Sequence, residues 1–151
     1  MKKTDERLSR MRSMSQQCIA VRIRLLSRMV TNIYDSVLSP FGVKLNQISI
    51  LVFVHLAGEV GYDALCKRLR MEKSTASRNI ERMKKKGWIS IASAKEGRRR
   101  FLRITPAGEV LLGKVHGAWE GAQKKALNLL GREGSEVLCS IANGIWKKNK
   151  E

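Results

Sequence analysis

Acidic residues are scarce in this chain. Thirteen Asp and Glu stand against 30 Lys and Arg, leaving a formal net charge of +17. That surplus predicts long-range attraction to a polyanion, either nucleic acid or an anionic membrane surface. It also leaves few carboxylates for paired acid–base chemistry, and those few are scattered among bases. Histidine is scarcer still: His55 and His116 are isolated in the sequence, with Asp63 read as the acid near His55. The three cysteines, Cys18, Cys66 and Cys139, are odd in number and far apart, which excludes a disulfide framework and any metal-ligand spacing. No glycine-rich phosphate loop is present. Aromatic residues make up 5% of the chain, so an aromatic sheet for stacking bases is not expected. The longest apolar stretch, Ile48 to Ala57, is interrupted by Ser49 and His55 and is too short to span a bilayer. The charged start, Met1-Lys-Lys-Thr-Asp-Glu-Arg, leads into no apolar run with a cleavage site. These absences predict a reduced cytoplasmic protein with no metal, no cofactor, no membrane role and no catalytic constellation. No repeat, low-complexity segment or linker divides residues 1–151, so one domain of ordinary size is expected.

The positive charge is concentrated. Fourteen of the 30 basic residues fall between Lys67 and Arg103, opposed there only by Glu72, Glu81 and Glu96. Within this stretch, Lys73-Ser-Thr-Ala-Ser-Arg78-Asn-Ile-Glu-Arg82-Met-Lys-Lys-Lys-Gly87-Trp88 reads as a short basic helix closed by a left-handed glycine. Its apolar positions Ala76, Ile80 and Met83 repeat at four and three, which leaves Ser74, Thr75, Ser77, Arg78 and Arg82 on the outside. Hydroxyls can bond phosphates or base edges, and an arginine can clamp a guanine. Lys73, Ser74, Thr75, Ser77, Arg78 and Arg82 are therefore the candidate DNA contacts, Arg82 more for phosphate than for base. The rival reading of Ser74 or Thr75 is a helix cap. Lys84, Lys85 and Lys86 read as nonspecific electrostatics or as a solvated helix end favoured by its dipole.

Around this helix the periodicity predicts a mainly α fold with a small β-hairpin. One helix is expected from about Met14 to Leu38, with Ile19, Ile23, Leu26, Val30, Ile33 and Val37 on one face, stopped by Ser39-Pro40-Phe41-Gly42. Its apolar seam suits either a second subunit or an intrachain core. A second helix runs from Asn46 to about Ala57 and is apolar around most of its circumference, so it should be the buried centre. A third, Tyr62 to Arg70, turns Leu65, Cys66 and Leu69 inward. After the basic helix, Trp88–Ser93 and Phe101–Ile104 read as strands around a turn at Lys95-Glu96-Gly97. Thr105-Pro106 then offers an N-cap with proline at the first helical position. A helix to about Leu130 carries Val110, Leu111, Val115, Trp119, Ala122 and Leu127. Gly131 breaks it, and a last helix runs from Arg132 to Lys147.

Helix, helix, basic helix and basic hairpin form the pattern of a winged helix-turn-helix. Several segments in order carry a closer likeness: Phe41-Gly42-Val43, Gln47 and Leu51, Leu65-Cys66 with Leu69, and Ser74-Thr75-Ala76-Ser77-Arg78. They continue with Lys85-Lys86-Gly87-Trp88-Ile89, Glu96-Gly97-Arg98 and Leu102-Arg103-Ile104-Thr105-Pro106-Ala107-Gly108. From about Cys18 to the last helix, the chain resembles the MarR (multiple-antibiotic-resistance regulator) family of winged-helix transcription factors. It departs from the family pattern at Glu96, where aspartate is usual, at Cys66, where a small residue is usual, and at Lys44, where Thr or Ser caps the second helix.

The resemblance implies a homodimeric regulator, most often a repressor. Residues 1–44 and 105–151 would form dimerisation helices around a winged-helix lobe at 45–104. The basic helix would enter a major groove and the wing a minor groove of double-stranded DNA, on a pseudo-palindromic operator. Arg98 is the candidate minor-groove arginine, by its match to the wing motif and the pull of narrow grooves on arginine. Arg99, Arg100 and Arg103 alternate on a strand and cannot all face DNA; Arg100 is the candidate there. Family members are commonly released by a small aromatic or phenolic effector, or by cysteine oxidation. Cys18 is the candidate redox sensor, with Arg22 near enough in sequence to favour a thiolate; a small buried hydrophobe is the other reading. Cys66 and Cys139 read as structural. The alternative function is a nonspecific basic nucleic-acid-binding or architectural protein.

Overall fold

The computed structural model describes residues 2–93 and 100–148 of the 151. The elements in order are α1 (Lys2–Gln17), α2 (Ile19–Leu38), a single 3-10 turn (Ser39–Phe41), α3 (Leu45–Ala57) and β1 (Val60–Gly61). They continue with α4 (Tyr62–Leu69), α5 (Lys73–Lys85), β2 (Ile89–Ser93), β3 (Arg100–Ile104) and α6 (Pro106–Lys148).

The long first helix is two helices. Cys18 takes an extended backbone (φ −68°, ψ 107°) between α1 and α2, and α1 reaches further towards the N-terminus than the expected start at Met14. The expected stripe also divides. Leu26, Val30, Ile33 and Val37 are half-buried and Tyr34 and Leu38 are buried, but Ile19 and Ile23 stand in solvent. Among the described residues, those of α2 that join or pack against the core lie from Val30 onwards, where the Tyr34 hydroxyl donates to Gln123 Oε1 of α6.

The core forms around α3. Ile48, Ile50, Leu51 and Val54 are buried, against Leu65 of α4 and against Ala76, Ile80 and Met83 of α5. The start of α3 is capped from elsewhere: Asp35 Oδ1 of α2 accepts the Leu45 N–H at 2.8 Å, and Gln47 Oε1 accepts the Lys44 N–H at 3.1 Å. A carboxylate from the preceding helix thus takes one of the free N–H groups at the start of α3, where the absent Thr or Ser at Lys44 would have taken another.

The sheet has three strands in the order β1-β3-β2, one more than the expected hairpin. β3 pairs antiparallel with β2 from Ile89↔Ile104 to Ser93↔Arg100, and with β1 at Val60↔Leu102 and Gly61↔Phe101. Two residues are too few to read as a strand in the sequence, so β1 shows only in the paired structure. The principal anchor is Leu102, 1% exposed beside buried Ile89, while Phe101 is only half-buried.

The Thr105-Pro-Ala-Gly108 segment clasps the start of α6 to the end of α5. Thr105 Oγ1 donates to Gly87 O at 2.5 Å and accepts the Gly108 N–H at 3.2 Å, and the Thr105 N–H donates to Trp88 O at 3.0 Å. Gly87 has the left-handed conformation expected of it (φ 71°). Within α6, Leu111, Val115, Ala122 and Ala126 are the buried positions, whereas Val110, Trp119 and Leu127 of the expected stripe are exposed. Gly131 breaks the helix as expected (φ 69°, ψ 168°), and the limb beyond it exposes Val137, Leu138, Ile141 and Ile145.

Candidate nucleic-acid interface

α4 and α5 are joined by a tight turn. Arg70 adopts a left-handed backbone (φ 50°), and the Met71 N–H returns to Cys66 O at 3.0 Å. α5 then starts at Lys73 behind Glu72 as its N-cap residue, whose carbonyl accepts the Ala76 N–H at 2.9 Å. Ser74 and Thr75 are the second and third residues of the helix, so neither is its cap, and that rival reading falls.

The buried side of α5 is the one expected, with Ala76, Ile80 and Met83 at 0–3% exposure. Lys73, Ser74, Ser77, Arg78 and Arg82 are exposed on the opposite side; Thr75 is half-buried. Ser74, Arg78 and Arg82 follow one another at four-residue steps, so they form one line along the helix. Arg78 Nε donates to Ser74 O at 3.2 Å, which holds the stem against the helix and leaves the Nη pair at its tip. Asn79 Nδ2 likewise donates to Thr75 O at 2.9 Å.

Lys73 is not a free cation. Its Nζ lies 2.8 Å from Asp63 Oδ1 of α4, and this partner holds the Lys73 ammonium above its usual pKa. The Tyr62 hydroxyl donates to Lys73 O at 2.5 Å, a second tie between the two helices. Burial pushes the Tyr62 phenol and the Cys66 thiol beneath it upwards, so Cys66 stays protonated at neutral pH. Tyr62 and Asp63 were missed as interface residues, because nothing in the periodicity marks a residue that bonds across a turn. A groove runs beside them, lined by Tyr62, Ser77, Arg100 and Phe101. Arg100 is exposed there, at the start of β3. Arg103, by contrast, is paired with Glu59 across the sheet, so the alternation of the strand separates the two arginines as expected. Arg98, Arg99 and the Lys95–Gly97 turn lie outside the described residues.

Of the three basic residues at the end of α5, Lys86 is occupied: its Nζ donates to Gly42 O at 2.5 Å and sits 4.6 Å from the centre of the Trp88 ring. His55 faces Glu109 of α6 at 3.4 Å rather than Asp63. Cys18 is half-buried at the α1–α2 break, and Arg22 Nη1 points to the Cys18 carbonyl at 3.5 Å rather than to the thiol. Cys139 is exposed, which corrects its reading as a structural residue; Cys66 is buried as expected. Among the described residues no group of three or more His, Cys, Asp or Glu could hold a metal ion. No single described helix is long and apolar enough to cross a membrane. The pair Ile19–Phe41 and Leu45–Ala57 passes that test only together, bent by 79°, and the second of them is the core helix of the domain.

Two helices joined by a tight turn, the second exposing a polar and basic face, with an antiparallel wing beside it, define a winged helix-turn-helix protein. Comparison with known proteins narrows the class. Residues 41–100 match the MarR family. The chain is 24% identical over 88 residues to the uncharacterised HTH-type transcriptional regulator YwoH of Bacillus subtilis, a match covering 58% of this chain and 64% of that regulator. The fold superposes on a cysteine-to-serine mutant of Escherichia coli MarR complexed with operator DNA. The TM-score is 0.76 at 16% identity, over 88% of this chain and 96% of that one. It also superposes on Bordetella bronchiseptica BpsR, whose DNA binding is regulated by 6-hydroxynicotinic acid. Here the TM-score is 0.74 at 14% identity, over 84% and 92% of the two chains. Over residues 41–100 the chain is similar to the MarR family, and the fold it shares with these regulators extends over most of its length.

Proposed function

We propose that this protein is a sequence-specific DNA-binding transcriptional regulator that acts as a homodimeric repressor in the cytoplasm. The observation that carries this reading is the two-sided character of α5. Its apolar side is sealed into the core, and its other side presents Ser74, Ser77, Arg78 and Arg82 in the helix-turn-helix position. With α5 in a major groove, Ser74, Ser77 and Arg78 meet base edges, Arg82 meets phosphate, and Arg100 and Arg98 follow the backbone towards the minor groove. Thr75 and Lys73 support rather than read: one is half-buried, and the other is paired to Asp63.

The dimer reading is supported by apolar surface that the protomer leaves bare. Ile19, Val21, Ile23 and Leu25 of α2 and Val137, Leu138, Ile141 and Ile145 of α6 are all exposed. In this reading 1–44 and 105–151 are the dimerisation parts and 45–104 the DNA-binding lobe. A two-fold axis then sets a pseudo-palindromic operator with half-sites about one helical turn apart. Release by a small aromatic acid is supported by the DNA-bound and ligand-regulated relatives. It is also supported by a cleft between the lobe and α6, where Phe41, Trp88 and Lys114 supply two rings and an ammonium. Oxidative release through Cys18 draws less support, since Arg22 is turned to the carbonyl.

Fluorescence anisotropy with the DNA upstream of the protein's own gene, against a scrambled duplex at about 0.15 M salt, tests the reading. Preference for the native duplex by roughly a thousandfold, cut by about 5- to 150-fold in Arg78→Ala, is the expected result. Equal binding to every duplex recovered from a random pool would instead favour a nonspecific architectural protein.

A further inference from the structure

A cleft opens where the start of α3 meets the last turn of α5. Its lining includes Lys44, Gln47, Asn79, Arg82, Lys85 and Lys86. The cations come from two elements far apart in the chain, so the cluster is a product of the fold and not of the lysine run alone. Lys86 is spent on Gly42 O and the Trp88 ring. Lys44, Arg82 and Lys85 are exposed, and among the described residues no carboxylate is paired with any of them. The Asp35 carboxylate at the start of α3 is turned to the Leu45 N–H and is not part of the lining. Three uncompensated cations held at one cleft repel one another, and an anion placed among them relieves that repulsion.

The cleft also lies in register with the exposed line of α5. Arg78, Arg82 and Lys85 fall at i, i+4 and i+7, so the cleft begins about 6 Å and ends about 10 Å along the helix axis from Arg78. When the first half of a recognition helix sits against base edges, its far end emerges where the phosphates run. We propose that this cleft is a backbone-phosphate clamp, in which Lys44, Arg82 and Lys85 close on the DNA strand flanking the bases read by α5. The clamp rests on the DNA-binding reading of α5 and adds Lys44 and Lys85 to it. Lys44 thereby holds DNA at the position where a capping hydroxyl is usual, while Asp35 takes one of the free N–H groups there.

The test is the salt dependence of binding for wild type and for the double variant Lys44→Gln/Lys85→Gln. The probes are a duplex selected from a random pool and its scrambled counterpart. Both side chains are exposed, so the variant should melt as wild type does, and a thermal scan checks this. The slope of log K against log salt should become shallower by about 1.8, at roughly 0.9 for each lost phosphate contact. It should do so equally on both duplexes, with the ratio of their affinities unchanged. An unchanged slope, with wild-type preference intact and still weakened by Arg78→Ala, overturns the clamp and leaves recognition by α5 standing. Wild-type protein that binds neither duplex overturns both. Inorganic phosphate at constant ionic strength should not displace DNA. Displacement that disappears in the double variant would reassign the cleft to a free phosphoanion.

Discussion

Arg78 stands one turn beyond Ser74 on the open side of α5, with its Nε tied to the Ser74 carbonyl and its Nη pair free to face a base. Replacing it with alanine removes one planar, two-pronged contact and nothing from the core. Preference for the selected duplex should fall by about 1–3 kcal/mol, the range for a bidentate base contact, with no change in melting temperature. Competition anisotropy and a thermal scan measure the two effects separately. Gly108 carries the opposite kind of prediction. A glycine-to-alanine change inside a helix ordinarily stabilises by roughly 0.5–1 kcal/mol. Here an added Cβ would sit 2.3 Å from Trp88 O and 2.7 Å from Ile104 Cγ1. The carbonyl already accepts the Thr105 N–H and cannot retreat without opening the clasp. Overpacking should win, and Gly108→Ala should destabilise by about 1–3 kcal/mol in urea unfolding. A neutral or stabilised variant would show that α6 can shift at no penalty. The sequence marked both residues, Arg78 through its place in a basic helix and Gly108 through the Thr-Pro-Ala-Gly motif. It did not contain the reason for the second, which is a contact between segments twenty residues apart.

At the scale of elements, the helices were legible wherever an apolar stripe met a single partner. α5 is the clearest case: its buried triplet and exposed line follow from four-and-three spacing alone. α2 and α6 were less legible because each carries apolar residues on two sides. Val110, Trp119 and Leu127 share the helical period of Leu111, Val115 and Ala122, yet the latter side packs within the chain and the former does not. Periodicity reports that a face is apolar, not which neighbour will cover it. β1 was hidden because two residues become a strand only when β3 lies beside them. The cap of α3 was hidden for the same reason, since Asp35 reaches it from ten residues upstream. Asp35→Ala should lower stability by about 0.5–2 kcal/mol, the usual effect of losing an N-cap acceptor. Asp35→Asn, which keeps an oxygen acceptor, should recover most of it. Equal losses in the two variants, read from urea midpoints, would mean that the charge matters more than the bond.

For the whole molecule, the proposed dimer rests on the exposed apolar sides of α2 and α6. Ile141 is 62% exposed in the protomer, so Ile141→Asp leaves the core untouched. It should convert a dimer into monomers in sedimentation velocity and weaken operator binding severalfold or more, because the second half-site no longer adds to the first. A variant that stays dimeric would place the interface elsewhere. The +17 charge acts at the same scale, speeding the approach to DNA and raising affinity for any duplex, which is why preference must be judged near physiological salt. Composition, period and local motif are properties of the chain taken a few residues at a time. By themselves they determined the class of fold, the excess of positive charge and the side of α5 that is left to solvent. Contacts between distant segments decided the rest: that Arg103 is held by Glu59 while Arg100 stays open, that Lys73 answers to Asp63, and that Lys44 joins Arg82 and Lys85 at one cleft. An unpaired charge and a paired one look alike in a sequence, and only packing brings the partner within reach.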